Sequence, residues 1–153
     1  MQYWLMKSEP DEVSIDDLAA QGQVPWFGVR NYQARNFMRD AMNVGDRAFF
    51  YHSGCAEPGI AGIGEICSAP YPDATQFDQA SPYHDPKSMP ENPRWLLCDV
   101  RFIQKTPYVS LAALRSHPEL ANMRLLARGN RLSITSVTPE EWAFITNELM
   151  GLR

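Results

Sequence analysis

The stretch that decides the fold is Trp26-Phe-Gly-Val-Arg-Asn-Tyr-Gln-Ala-Arg-Asn36, where aromatic residues and a glycine precede a segment with helical periodicity. The periodicity predicts a helix over residues 30–42, because its apolar side chains recur every three or four positions and form one stripe. That stripe consists of Ala34, Phe37, Met38 and Ala41. From composition alone a core role is slightly favoured for Trp26, and a helix-capping role competes for Asn31.

Two other segments are similarly rich in polar and aromatic groups: Lys7-Ser-Glu-Pro10 and Phe50-Tyr-His-Ser53. A pocket for one nucleobase needs apolar faces for stacking, polar groups for the base edge, and arginine or lysine for the flanking phosphates. Together with residues 26–36 these segments supply all three classes. The combination predicts a nucleic-acid-binding pocket.

Around these segments the pattern predicts strands over residues 3–7, 47–52, 59–68, 95–103 and 132–137. Capping boxes beginning at Ser14 and Thr138 predict two helix starts, and Ser110 predicts a third short helix through residue 116. Glycines at 59, 62 and 64 indicate bulges or close backbone approach. Residues 69–94 read as a long ordered loop. The expected fold class is α+β, a small, partly open mixed β-barrel with flanking helices.

The chain has 153 residues, and we expect a single domain over residues 1–153. The net charge of −4 is unevenly distributed. Residues 94–131 carry seven basic groups and two acids, and eleven of the fourteen basic residues in the chain are arginine. This distribution predicts modest, salt-sensitive binding to a polyanion on one face. For any single arginine, a solvated surface position is about equally expected.

Three scattered cysteines without a C-x-x-C pair fit a reducing compartment. The first residues resemble neither a signal peptide nor a membrane span, so we expect a cytoplasmic protein without a membrane partner. The sequence has no H-E-x-x-H, P-loop or complete G-x-G-x-x-G motif. His52 and Ser53 are neighbours on a predicted strand and should point to opposite faces. We therefore expect no catalytic residues, no metal site and no cofactor.

The sequence resembles the EVE domain, a member of the PUA-like superfamily, over nearly its whole length. The matching motifs are Tyr3-Trp-Leu-Met-Lys-Ser-Glu-Pro10, Trp26-x-Gly-Val-Arg-Asn-Tyr-Gln-Ala-Arg-Asn36, Gly45-Asp46, Phe50-Tyr-His-Ser53, Pro58-Gly-Ile60, Arg131-Leu-Ser133 and Glu141-Trp142.

The resemblance implies a PUA-like β-barrel with a pocket for one extruded base. It implies DNA with a modified cytosine as the leading ligand class, with RNA as an alternative for stand-alone members, and we expect a monomer. By motif, the pocket would be lined by Ser8, Trp26, Val29, Asn31, Tyr32, His52 and Ser53. The residues near the nucleic-acid backbone, or holding the walls, would be Lys7, Arg30, Arg35 and Arg131.

Two other hypotheses stay open from the sequence. The same pocket would serve a small-molecule or free-nucleotide binder, for which the arginine face would be irrelevant. An enzyme acting on a modified base would use His52 or Ser53, although nothing in the sequence supports this positively.

Overall fold

The computed structural model describes residues 1–152. Its strands are β1 (Tyr3–Ser8), β2 (Gln23–Pro25), β3 (Arg47–His52), β4 (Gly59–Ile66), β5 (Tyr71–Pro72), β6 (Leu96–Leu97), β7 (Asp99–Ser110) and β8 (Ile134–Val137). Its α-helices are α1 (Ile15–Gln21), α2 (Tyr32–Asn36), α3 (Leu111–Arg115) and α4 (Pro139–Ala143). Helices α2 and α4 continue as π-helix over Phe37–Ala41 and Phe144–Leu149. Single 3-10 turns lie at Ala74–Phe77, Pro118–Leu120 and Arg124–Leu126.

Six strands form one mixed sheet in the order β2-β7-β4-β3-β1-β8, and β5 pairs with β6 in a separate ribbon. The pairing of β1 with β3 is parallel, and the other pairings in the large sheet are antiparallel. Within residues 1–152 no pairing joins the end strands β2 and β8. Residues at or next to both end strands nevertheless border one cavity. The sheet therefore curves so that β2 and β8 approach each other, with an unpaired seam between them.

Alternation along the strands divides the core into two clusters, because successive side chains point to opposite faces. In β1, Trp4 and Met6 belong to one cluster and Leu5 to the other. The first cluster also includes Trp26 and Val29 from the loop after β2. This core therefore anchors the loop that borders the seam.

The predicted helix starts are confirmed by their caps. Ser14 and Thr138 each form a reciprocal capping box, with Asp17 and Glu141 respectively at the third helical position. Ser110 accepts a hydrogen bond from the Ala113 amide at the start of α3. No helix within residues 1–152 combines the length and the apolar character needed to cross a membrane.

The prediction for strand 95–103 was too short. The strand is split into β6 and β7, and β7 continues to Ser110. On β4, Ile60 and Gly62 pair with Val109 and Lys105 on β7, so two extra residues of β7 bulge between these pairs. Pro107 lies in this bulge, where a residue without an N–H removes few hydrogen bonds from the sheet.

The glycine prediction for β4 is confirmed. A Cβ at Gly62 would lie 2.3 Å from Ile15 Cδ1 and 2.7 Å from the Gln104 carbonyl oxygen. Register shifts flank the same region. Helix α1 therefore packs directly on the backbone of β4.

Candidate functional site

A cavity of about 430 Å³ opens at the seam between β2 and β8. Its walls come from the end of β1 and the turn after it, from β2 and the following loop, and from one or two residues of each of three other loops. Its lining includes the side chains of Lys7, Ser8, Glu9, Glu12, Trp26, Phe27, Val29, Arg30, Asn31, Ser53, Tyr83, Arg131 and Ser133. Such a volume lies within the range of small-ligand sites, about 300–1,000 Å³.

Aromatic rings form the apolar part of the wall. Trp26 is only 6% exposed and packs edge-on against Phe50, with 5.4 Å between ring centroids. Phe27 meets Tyr83 in a similar edge-on contact at 5.8 Å. Trp26 is therefore both a core residue and a wall residue, which reconciles the two roles that its sequence position left open.

Tyr83 reaches the cavity because Gly28 has no side chain. Gly28 has a φ of +83°, and a Cβ at this position would lie 2.8 Å from Tyr83 Cζ. Only glycine adopts this backbone region without cost and leaves room for the ring. The Gly28 amide donates a hydrogen bond of 2.8 Å to the Asp73 carboxylate, which fixes the turn.

Arg30 holds the loop after β2 to the long loop 69–94. Its Nε and Nη2 donate to the Tyr83 carbonyl oxygen at 3.0 and 2.7 Å, and Nη1 lies 3.1 Å from Asp73 Oδ2. Nη2 also donates to Thr75 Oγ1, and Nη1 to the Val29 carbonyl oxygen. The guanidinium lies over the Tyr83 and Trp95 rings, with 5.7 and 5.3 Å to the centroids. Arg30 therefore holds the two loops of the cavity wall together, and its hydrogen-bond donors are already engaged.

Asp73 is the acceptor at the centre of this arrangement and is 1% exposed. Burial raises the pKa of its carboxyl, but the hydrogen bonds from Thr75 and Gly28 and the charge of Arg30 outweigh burial. The net pKa lies below the ordinary value for aspartate. The carboxylate is thus held ionised inside the wall.

Carboxylates also face the cavity itself. The Tyr83 hydroxyl donates to Glu12 at 2.5 and 2.6 Å to the two oxygens. Burial and the neighbouring Glu12 raise the pKa of Tyr83 to about 12, so its hydroxyl keeps its proton near neutral pH. The Glu9 carboxylate accepts no hydrogen bond from residues 1–152 and packs on Gly54. The cavity therefore offers a free acceptor beside an occupied one.

The residues with hydrogen-bond donors that border the cavity include Lys7 and Asn31. Lys7 is half-buried, burial lowers the pKa of its ammonium, and Nζ lies 5.9 Å from the centroid of Tyr51. Asn31 caps α2 through its Oδ1, which accepts from the Ala34 amide at 3.1 Å. Its Nδ2 donates to no group within residues 1–152. The site thus combines stacking faces, acceptors and donors around one opening.

Eight of the eleven predicted site residues border this cavity: Lys7, Ser8, Trp26, Val29, Arg30, Asn31, Ser53 and Arg131. The structure places Tyr32, His52 and Arg35 outside its lining. His52 instead turns toward α1, where its Nε2 accepts a hydrogen bond of 3.1 Å from the Ile15 amide. His52 thus supports a helix, and it is Ser53 that borders the cavity.

Tyr32 and Arg35 lie on the outer side of α2. The Tyr32 ring stacks on Trp95 with 4.7 Å between centroids. The Arg35 guanidinium covers the Tyr32 ring at 4.7 Å, and its Nη1 donates to the Arg94 carbonyl oxygen at 2.8 Å. These contacts connect α2 to the chain before β6, and they engage Arg35 within the fold.

Sequence reasoning missed Glu12, Tyr83 and Asp73. Tyr83 lies within the long loop predicted over residues 69–94, and the two acids carried no local signal. They lie 40 or more residues from at least one of their partners, so no spacing rule connects them. The one available signal was Gly28, whose absent side chain indicates that something approaches closely.

The model of the EVE domain family matches residues 2–148. Human thymocyte nuclear protein 1 is 46% identical over 94% of this chain and 72% of its own length. A crystal structure of a protein from Pseudomonas putida is 52% identical, with a TM-score of 0.90 over 94% of this chain and 97% of that one. The structure of human THYN1 in complex with DNA containing 5-methylcytosine is 46% identical, with a TM-score of 0.88 over 95% of each chain.

These similarities agree with the α+β, PUA-like fold expected from the motifs, with the sheet left open between β2 and β8. Because the family match spans nearly the whole chain, this protein belongs to the EVE domain family.

Proposed function

We propose that this protein binds nucleic acid and reads a single modified base, with 5-methylcytosine in DNA as the first candidate. One observation carries the proposal: human THYN1, which shares this fold at 46% identity, has been crystallised with DNA containing that base. RNA is the second substrate class to test. The cavity is lined by one chain, so binding needs no second copy, and we propose that the monomer is the active form.

The cavity walls support the insertion of one base. Extruding a base from a duplex costs a few kcal/mol. Stacking on aromatic side chains contributes about 1–3 kcal/mol per base, enough to offset much of that cost. Phe27, Tyr83 and Trp26 all border the cavity and supply its aromatic wall.

The polar groups suit the edge of a cytosine. Cytosine presents an amino group as donor, and glutamate is a natural acceptor for it. Glu9 is free to accept, whereas Glu12 is engaged by Tyr83. The carbonyl and ring nitrogen of the base would accept from Asn31 Nδ2 or the Lys7 ammonium, both of which border the cavity.

We propose that the protein binds without turnover. Ser53 borders the cavity, but His52 lies outside its lining and accepts from the Ile15 amide, so the two do not form a nucleophile and base pair there. Mass analysis of modified oligonucleotides after incubation tests this directly. Release of base, methyl group or phosphate by the wild-type protein would overturn the non-catalytic proposal.

The decisive binding experiment uses fluorescence anisotropy at fixed salt with matched oligonucleotides that differ only by one 5-methyl group, as DNA and as RNA. We compare wild type with Asn31→Ser, which keeps a helix-capping oxygen but removes Nδ2. Loss of one hydrogen bond of about 1.5 kcal/mol predicts roughly tenfold weaker binding of the preferred strand. Asn147→Ser, an exposed position on the C-terminal π-helix outside this cavity, is the control and should leave affinity unchanged.

Equal affinity of the wild type for modified and unmodified strands of both kinds would refute base reading. Free 5-methyldeoxycytidine that binds as tightly as the oligonucleotide would instead favour the small-molecule alternative.

A further inference from the structure

A second cavity of about 410 Å³ lies beside the first. It is bordered by the chain that leads from the 3-10 turn at Arg124–Leu126 into β8, and by Gln33 of α2 and Phe37 after it. The side chains that matter are Arg124, Arg128, Asn130 and Gln33. None of its lining residues is acidic.

The two cavities share two walls. In the segment before β8, Arg131 and Ser133 border the first cavity, whereas Asn130 and Leu132 border the second. At the start of α2, Asn31 likewise borders the first cavity and Gln33 borders the second. The same two backbone segments therefore line both cavities, one on each side. A ligand that extends out of the first cavity in this direction would reach the second.

The arginines of the second cavity are free to bind an anion. Arg124 and Arg128 are exposed, and within residues 1–152 neither guanidinium donates a hydrogen bond or lies within 4.0 Å of a carboxylate. Elsewhere the arginines at 30, 39, 47 and 101 all have acidic partners. The sequence contains no acid between Glu119 and Glu140. The segment that borders the second cavity therefore carries only positive charge.

We propose that the second cavity binds the sugar-phosphate backbone of the strand whose base enters the first. Guanidinium groups bind phosphodiester oxygens through two parallel hydrogen bonds, and the side-chain amide of Gln33 adds a neutral donor. This inference rests on the proposed function, because it takes the occupant of the first cavity to be a base on a strand. In this proposal Arg124 and Arg128 contribute affinity and position the strand, whereas the first cavity determines which base is preferred.

The test is a salt titration of oligonucleotide binding by the full chain, with Arg124→Gln/Arg128→Gln against wild type. Each lost phosphate contact lowers the slope of log K against log salt by about 0.7–0.9, so the double variant should lose about 1.4–1.8 of slope. Its affinity ratio for modified over unmodified strand should stay the same. The control is Arg101→Gln/Arg115→Gln, which removes the same charge from residues that border neither cavity.

The outcomes separate the two proposals. A wild type that prefers the modified strand, with equal slopes for the cavity variant and the control, overturns the second site alone. A wild type that binds no oligonucleotide overturns the proposed function and this inference with it. The four substituted arginines are not in the buried core, so unchanged melting temperatures should accompany the expected result.

Discussion

Replacing Asp73 with asparagine should destabilise the wall of the first cavity more than its conservative nature suggests. Asp73 Oδ2 accepts from the Gly28 amide and Arg30 Nη1, while Oδ1 accepts from the amide and hydroxyl of Thr75. An asparagine must place its NH₂ against one of these two donor pairs in either orientation. The substitution therefore creates a donor facing donors and removes the counter-charge of Arg30.

The expected magnitude follows from burial. Asp73 is 1% exposed and the Arg30 side chain 21%, so solvent screens this pair weakly. Breaking a buried pair by removing one charge costs about 3–5 kcal/mol. For a domain of this size that corresponds to a fall in melting temperature of roughly 6–20 °C.

The assay is thermal and urea unfolding of wild type, Asp73→Asn and the control Asp40→Asn. Asp40 also pairs with an arginine, but both partners are exposed, at 45% and 57%. Exposed pairs contribute little, so the control should melt with the wild type. If Asp73→Asn loses no more stability than Asp40→Asn, the wall does not depend on this ion pair and our reasoning about Arg30 is wrong.

Two further predictions concern single residues. Gly28→Ala should cost about 1–2 kcal/mol for its positive φ, plus the displacement of Tyr83, and it should weaken oligonucleotide binding. The control Gly22→Ala has a φ of +84° and nothing within 4 Å of the added Cβ, so it measures the backbone cost alone. Equal losses in stability and in binding for the two variants would show that the Tyr83 contact does not matter. Burial lowers the pKa of His52 below 6.5, so its neutral form supports α1 fully above that pH, and this contribution falls as the pH drops through the folded value. His52→Gln should therefore show a flatter dependence of unfolding free energy on pH below 6.5, and parallel curves for the two proteins would contradict the role of the Ile15 contact.

The capped elements were predictable because their signals are local. Ser14 with Asp17 and Thr138 with Glu141 lie within one helical turn, so the pattern and the interaction coincide. The helix predicted over residues 30–42 started two residues too early, because Asn31 is the N-cap and the helix begins at Tyr32. At Phe37 it changes to π-helix. The apolar stripe was right: Ala34 and Met38 are fully buried.

What the sequence could not supply is the direction in which each motif residue points. The stretch from Trp26 to Asn36 contributes to three environments: Trp26 to the core, Asn31 to the first cavity and Tyr32 to a stack on Trp95. A motif shows which residues are neighbours along the chain, but not where their side chains point. Here those directions depend on the conformation of a loop that is held by Asp73 and Tyr83, which are far away in sequence. For the same reason, Arg124 and Arg128 were visible only as part of a basic segment.

The central claim is that one base leaves its stack and enters the first cavity. A strand with 2-aminopurine next to 5-methylcytosine tests it, since the fluorescence of 2-aminopurine rises when its neighbour unstacks. We predict a rise with wild type and with Ser133→Ala, and none with Ser133→Phe, which fills the cavity while the Ser133 carbonyl contact to the Lys7 amide remains possible. Tight binding of the modified strand by wild type without a rise, or an equal rise with Ser133→Phe, would contradict the account.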